Sequence, residues 1–435
     1  MPLSTVNIPL TEPAVTLTDY ALAIECAVFV LLLMRRDASD QTVRFWFVVF
    51  FASIGAASTP AIWESNQQQA TVAIATRRAI QSLALEGGIW VDADRSNNMW
   101  TGLQAAARER LATIRAVSPE VYEAYLKGRY EWNQRTPKSL QLAIEHFTRA
   151  VELDPTYAPA QAALADCFNL LGTVMVGTGS PREYRPRAAT EAIKALQIDP
   201  YSAEAHAALG YVWHYEWRWA DAEKEFRRAI ELNPSYSLVR IWYANLLMSR
   251  LRMKEAVEQV TIARDLDPFS LIVNTNVAWV LNGAGRHEDA LAQLTQTLAL
   301  DSTYMQARWR RAGALTSAGR FTEALDEGNR LVTLSDSSPP ALAQLAIIDA
   351  RAGKRAEARA LLNELLVRSR RQYVPSALIA LVFNALGDAD NTLTWLEKAF
   401  AEHSNAIAYL AVDYQNAPLQ RDPRFQALLA RAGLK

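Results

Sequence analysis

Along most of this chain apolar positions recur every three or four residues, which is the spacing of one helix face. In residues 203–234, AEAHAALGYVWHYEWRWADAEKEFRRAIELNP, the pattern runs through two halves and stops at Pro234. A helix does not readily continue through proline, so the segment predicts two helices joined by a short turn. The unit then repeats. Ala188, Ala222, Ala256, Ala290, Ala324 and Ala358 stand 34 residues apart, with the small Thr392 at the next place. Gly285, Gly319, Gly353 and Gly387 keep the same period, as do Pro200, Pro234 and Pro268. A two-helix unit cannot bury its apolar face alone, so a period of this length predicts stacked helical hairpins. The small residues have a mechanical reason. Gly210 and Ala222 fall where the two helices of one hairpin touch, and short side chains there permit a close axis distance. Phe226 and Trp213 fill the space alongside.

The first part of the chain is patterned differently. Residues 20–34 (YALAIECAVFVLLLM) carry one carboxylate, Glu25, and residues 45–63 (FWFVVFFASIGAASTPAIW) carry no charge. The second run approaches the roughly 20 apolar residues that a membrane-spanning helix needs, with Trp46 and Trp63 at its ends. The polar link between the runs holds Arg35, Arg36 and Arg44, and no Lys or Arg precedes it. The pattern predicts a two-pass membrane hairpin with the link in the cytoplasm and the rest of the chain outside. The competing reading is two buried helices of a cytoplasmic domain. Residues 67–118 read as helical linker. Within them Asp92, Asp94 and Asn97 suggest a calcium loop, but the sixth and twelfth places are Asn97 and Leu103 where Gly and Glu are needed, so a turn is expected.

Composition narrows the class further. The 435 residues hold 45 Lys+Arg against 46 Asp+Glu, a net charge of −1, which gives no extended nucleic-acid footprint. Half of the residues are hydrophobic, which excludes a wholly disordered chain. Two cysteines, Cys26 and Cys167, make neither a disulfide framework nor a multi-cysteine zinc module. Lysine is absent before the Ser118–Pro119 step and all eight lysines follow it, a compositional boundary that separates residues 1–66 and 67–118 from residues 119–435.

The residues Leu209-Gly210-x-x-Trp213, then Ala222-x-x-x-Phe226, Ala229 and Pro234, resemble the tetratricopeptide repeat in spacing and residue class. The first unit shows Gly128, Ala143, Phe147, Ala150 and Pro155, with an inter-helix turn about three residues longer than that family's norm; the second carries an insertion of roughly eleven residues within LGTVMVGTGSPREYRPR. The resemblance implies an all-α superhelical solenoid of about eight helical hairpins between residues 119 and 408, closed by a C-terminal capping helix. The phrases are similar to the C-terminal arrays of bacterial signalling and transcription-regulator fusions. None of the effector domains of those fusions fits in residues 1–118, and no phosphate loop or kinase motif is present.

In this family the first helices line a concave groove that holds proteins or peptides. Carried onto this sequence, the groove places are Tyr122, Tyr125, Arg129 and Trp132 in the first unit, Asp166 and Asn169 in the second, and Tyr211, His214 and Tyr215 in the third. Asn245, Trp279, Asn282 and Trp309 continue the series. A clamp for a chaperone's carboxyl terminus is not expected, because Ile241 stands where such a clamp is polar. Trp213, Trp217 and Trp219 read as packing residues.

No chemistry emerges from the remaining motifs. The five histidines make no HExxH and no i, i+4 pair. Cys167 reads as a small buried hydrophobe. Glu223, Glu225, Asp289 and Glu323 read as a solvated face. The expectation is a non-enzymatic adaptor, tethered to a membrane, that uses no cofactor and no metal and binds a protein or peptide rather than nucleic acid. The alternative is the regulatory half of a signalling system whose effector is on another chain.

Overall fold

The computed structural model describes residues 117–434 apart from 177, 178 and 413. The expected membrane hairpin, and the linker up to residue 116, lie outside the described residues. Within them the architecture is eight antiparallel helical hairpins in chain order. They are α1–α2 (Pro119–Gln134, Pro137–Leu153), α3–α4 (Ala158–Leu171, Pro181–Ile198), α5–α6 (Ala203–Tyr215, Trp219–Leu232) and α7–α8 (Ser237–Ser249, Met253–Leu266). The second four are α9–α10 (Leu271–Gly283, His287–Leu300), α11–α12 (Met305–Ser317, Phe321–Leu334), α13–α14 (Pro339–Arg351, Arg355–Arg368) and α15–α16 (Ser376–Ala385, Ala389–Ala401). Two short 3-10 helices, Asn405–Tyr409 and Tyr414–Leu419, lead to a final helix α17 (Pro423–Arg431). Each second helix packs on the next first helix, and the first helices, α1 through α15, also pack successively on one another.

The periodic small residues do what the spacing requires. Ala188, Ala222, Ala256, Ala290, Ala324 and Ala358 are fully buried, and Thr392 nearly so. A Cβ on Gly128 would lie 2.5 Å from the Phe147 ring, and one on Gly210 would lie 2.7 Å from the Phe226 ring. Those glycines therefore set the distance between the two helices of their hairpins.

The first hairpin corrects one expectation. The three additional residues lengthen the start of α2, not the turn. α2 runs 17 residues where α6 runs 14, and the turn before it is Arg135 and Thr136 alone. Local chemistry explains the sharp reversal. Arg135 is left-handed (φ 55°), Thr136 caps α2 through a reciprocal bond pair with Ser139, and Pro137 supplies a preset first turn. The insertion of the second hairpin divides between the loop 172–180 and an α4 of 18 residues.

A polar rung repeats on the same period and was invisible in the hydrophobic pattern. His206, Arg240, Asn274 and Arg308 each bond the carbonyl six residues earlier, at Pro200 (3.1 Å), Pro234 (2.9 Å), Pro268 (2.7 Å) and Ser302 (2.8 Å). Each also bonds the side chain 19 residues later, at Glu225 (2.5 Å), Gln259 (3.0 Å), Gln293 (3.2 Å) and Glu327 (2.6 Å). The rung thus ties an entering linker to both helices of its hairpin. Glu327 is 3% exposed and also accepts from Arg311 at 2.9 Å. A buried carboxylate held by two guanidinium groups has its desolvation offset by paired hydrogen bonds. One period on, the rung becomes apolar, with Leu342 and Leu361 in one hydrophobic cluster. Glu225 and Glu223 are accordingly bonded groups, not a solvated face. Glu223 accepts from Tyr243 at 2.8 Å and from Arg252 at 2.9 Å, joining two successive hairpins.

The turn inside the third to eighth hairpins passes through the left-handed region at one repeating place. Gly285, Gly319, Gly353 and Gly387 occupy it with φ between 73° and 85°. One and two periods earlier the same place holds Leu251 (φ 61°) and Trp217 (φ 59°). A side chain there costs about 1–2 kcal/mol. Leu251 is 60% exposed and receives little in return. Trp217 stacks on Phe400 (4.4 Å between ring centres) and on His403 (4.8 Å). Leu251→Gly should therefore raise stability by about 0.5–1 kcal/mol, net of glycine's added chain entropy. Trp217→Gly should lower it by about 2 kcal/mol or more through lost stacking and burial. Denaturant midpoints of the two variants should move in opposite directions; movement in the same direction would refute this account of the turn.

Candidate binding site on the inner wall

The first helices carry the expected groove residues, but the groove is not open along its length. The chain's own C-terminal segment enters it. Arg185 on α4 donates to the carbonyls of Tyr215 (2.5 Å) and His403 (3.1 Å) and to Asn405 Oδ1 (2.6 Å). Asn405 donates to the Tyr211 hydroxyl (3.1 Å), and the hydroxyls of Tyr215 and Tyr409 meet at 2.7 Å. The Tyr409 ring stands edge-on to Trp279, 4.8 Å between centres. Farther along, Trp219 Nε1 donates to the Ala432 carbonyl (3.1 Å) and Arg250 donates to the Gly433 carbonyl. From the other side Val174, in the second hairpin's insertion, packs into the apolar clusters of residues 342–386 and 377–434. The array therefore bends far enough for its third and fourth hairpins to meet its C-terminus.

Between these two intrusions lies a cavity of 420 Å³. Six of the expected groove residues line it: Tyr211, Tyr215, Asn245, Trp279, Asn282 and Trp309. The other seven, the buried Asp166 among them, are placed elsewhere. Tyr122 is half exposed on α1. Tyr125 packs on Phe147 and Tyr157 at 5.7 and 5.5 Å. Arg129 lies over the buried Trp132 ring at 4.7 Å. Asn169 donates to the Ala208 carbonyl at 3.1 Å. His214 is buried behind the wall against Ser249 at 3.1 Å; since that hydroxyl donates to the Leu246 carbonyl, the imidazole must donate through Nε2. Trp217 and Trp219, expected as packing between adjacent helices, instead pack against the distant C-terminus.

Sequence reasoning missed four residues of this region: Arg135, Arg185, Arg310 and Tyr409. Arg310 neighbours a groove residue by one place, which the repeat template does not select. Tyr409 lies after the last hairpin, 194 residues from its partner Tyr215, where no periodicity applies.

Two buried titratable groups oppose each other in their pH response. Burial pushes the Asp166 carboxyl up to about 7, although Arg129 and Arg135 nearby act to lower it. Burial, with Arg185 adding to it, pushes the His214 imidazole down to about 3. Asp166 holds its proton longer in the folded chain than in the unfolded one. Its contribution is full below the ordinary carboxylate range and is lost as pH rises through about 7. His214 loses its contribution as pH falls from its ordinary value toward 3. Asp166→Asn removes the first effect alone. The variant should match the parent near pH 4 and exceed it by about 2–4 kcal/mol at pH 8. Urea titrations at the two pH values measure this, and a pH-independent difference would show that Asp166 does not titrate abnormally.

Comparison with known proteins agrees with the geometry. Residues 218–270 and 278–339 match the family model described as tetratricopeptide repeat. The transcriptional regulator HilA of Salmonella typhimurium is 28% identical over 136 residues, 31% of this chain and 24% of that protein. The type IV pilus assembly protein PilF of Pseudomonas aeruginosa is 37% identical over 67 residues, 15% of this chain and 27% of that protein. The chain thus spans about a quarter of the length of these curated relatives. Among solved structures, the Pseudomonas aeruginosa pilF structure is 21% identical with a TM-score of 0.35, covering 49% of this chain and 95% of that one. The Cut9 and Hcn1 hetero-tetramer structure is 16% identical with a TM-score of 0.49, covering 76% of this chain and 59% of that one. The matched stretches lie inside the stacked hairpins, so residues 218–270 and 278–339 are tetratricopeptide repeats and the described array is built as a solenoid of that kind.

Proposed function

We propose that the array is a non-enzymatic scaffold that holds a protein or peptide partner at its first-hairpin end. The supporting observation is the stripe Tyr122, Leu126 and Tyr130 on α1, exposed at 51%, 47% and 66%. These residues are spaced i, i+4, i+8 and so share one helix face. Exposed aromatic and apolar groups in such a stripe suit a helical or extended segment. Tyr125 and Arg129 extend the surface toward the inner wall. Farther along, that wall is taken up by the chain's own segment, so a macromolecule has less to contact there. A photo-crosslinking residue at Tyr122 or Tyr130 in the full chain should capture a second polypeptide in cells, and Tyr130→Ala should abolish capture from position 122. Crosslinks confined to residues 1–116 of the same chain would defeat the proposal.

A tether completes this reading. The uncharged run at residues 45–63 and the arginines between the two apolar runs support membrane insertion through residues 20–63, with the array outside the cytoplasm. No helix among the described residues is long and apolar enough to cross a membrane, so an anchor has to come from elsewhere in the chain. The full chain should stay with the membrane pellet through alkaline carbonate extraction and leave it in detergent. Recovery in the carbonate supernatant would count against the tether. The regulatory alternative is favoured by the stretch shared with HilA, named a transcriptional regulator.

A further inference from the structure

The cavity inside the array carries positive charge with no acid to balance it. Among the described residues that line it there is no Asp and no Glu, yet Arg135 and Arg310 both do. Arg310 lies over the Trp279 ring at 3.9 Å and over the Trp309 ring at 4.9 Å. No carboxylate among the described residues lies within ion-pair distance of it. Arg135 is 8% exposed, lies over Trp132 at 3.7 Å, and leaves its Nε and Nη2 without hydrogen-bond partners. Asp166 lies near Arg135 but is not part of the cavity wall. Three further polar atoms of the wall are buried and unpartnered: Trp309 Nε1, Thr275 Oγ1 and Asn245 Oδ1.

A buried cation without an acceptor is expensive, and each orphaned donor adds to that penalty. Such a group is tolerated where a ligand completes it. Aromatic faces hold the Arg310 guanidinium in place while leaving its N–H edges free to bond. Most of the wall is apolar, with Leu170, Trp242, Met248, Ile272, Ile347 and Leu381 among its members. Asn276, Asn282, Gln306 and Gln344 add uncharged polar groups. Its volume falls in the lower part of the range of small-molecule pockets, roughly 300–1,000 Å³.

We propose that this cavity binds a small organic carboxylate with an apolar or aromatic body, its carboxylate on Arg310 and the Trp309 N–H and its body on the apolar wall. Guanidinium and indole N–H together offer donors that suit two carboxylate oxygens. The occupant is a small molecule and not a peptide, because the loop at Val174 and the segment at Asn405–Tyr409 cover the cavity from two sides. Tyr409 is both a wall of the cavity and a contact of α5 and α9, so the ligand would reinforce the closure of the array. This inference is separate from partner docking on α1, and each can fail without the other.

Calorimetry on the full chain with naphthoate, its neutral isostere naphthamide, and phenyl phosphate tests it. The expected result is one site per chain for naphthoate, with naphthamide at least about tenfold weaker and phenyl phosphate weaker than naphthoate. Arg310→Met should weaken naphthoate by about tenfold or more, and Trp309→Phe, which removes the N–H and keeps a ring, by several-fold. Should Arg310→Met fail to fold, Trp309→Phe carries the test alone. Equal binding of naphthoate and naphthamide, absence of naphthoate binding at millimolar concentration, or naphthoate affinity unchanged in Trp309→Phe would overturn the proposal. Tighter binding of phenyl phosphate would overturn the assignment to a carboxylate.

Discussion

A pair of amphipathic helices packed along one line leaves its outer faces uncovered, and every feature of this molecule follows from how that surface is hidden. Close approach within the pair comes first. Gly128 against Phe147, and Gly210 against Phe226, leave no room for even a methyl group. The alanine of each second helix is fully buried at the same place in six successive units. Fixing that distance makes each pair a near-copy of the last, so neighbours can dock with the same geometry. Stacking then removes apolar area from water along the whole length, and curvature follows from the small rotation at each step.

Polar groups make the stacking specific. The rung that begins at His206 and ends at Arg308 anchors an entering linker to the pair it precedes, and its members change from His/Glu to Arg/Gln, Asn/Gln and Arg/Glu without losing the arrangement. What is preserved is a hydrogen bond between the two places, not the charge and not its direction, since Gln293 donates to Asn274 while the arginines donate to their partners. Where the next unit puts leucine at both positions, apolar packing takes over the same task.

The fold was legible in the sequence because its signals are local and repeated. The alanine and glycine periods gave the unit, and Pro234 marked a unit's end. The added residues of the first unit were visible as a longer spacing between Gly128 and Ala143, but spacing alone does not say whether a helix or a turn absorbs them; the caps at Arg135 and Thr136 decide it. The candidate site was legible by half. A repeat template finds Trp279 and Trp309 because they share a register. It is silent about Asn405 and Tyr409, which belong to no unit, and about Arg185, which sits on a second helix and still reaches the C-terminal segment. Those contacts depend on accumulated curvature, a property of the whole stack that no single unit encodes.

The bond between Tyr215 and Tyr409 has a consequence for how the molecule acquires its shape. An open row of repeats behaves as a one-dimensional chain of neighbours, which can fray from either end and form in pieces. A contact spanning 194 positions changes that behaviour, because it can form only after the intervening units are in place. During synthesis the early hairpins would assemble in order as they emerge, and the last thirty or so residues would arrive as a latch on an existing ring wall. Once latched, loss of any intermediate unit also releases the ends, so the row melts as one cooperative body and not unit by unit.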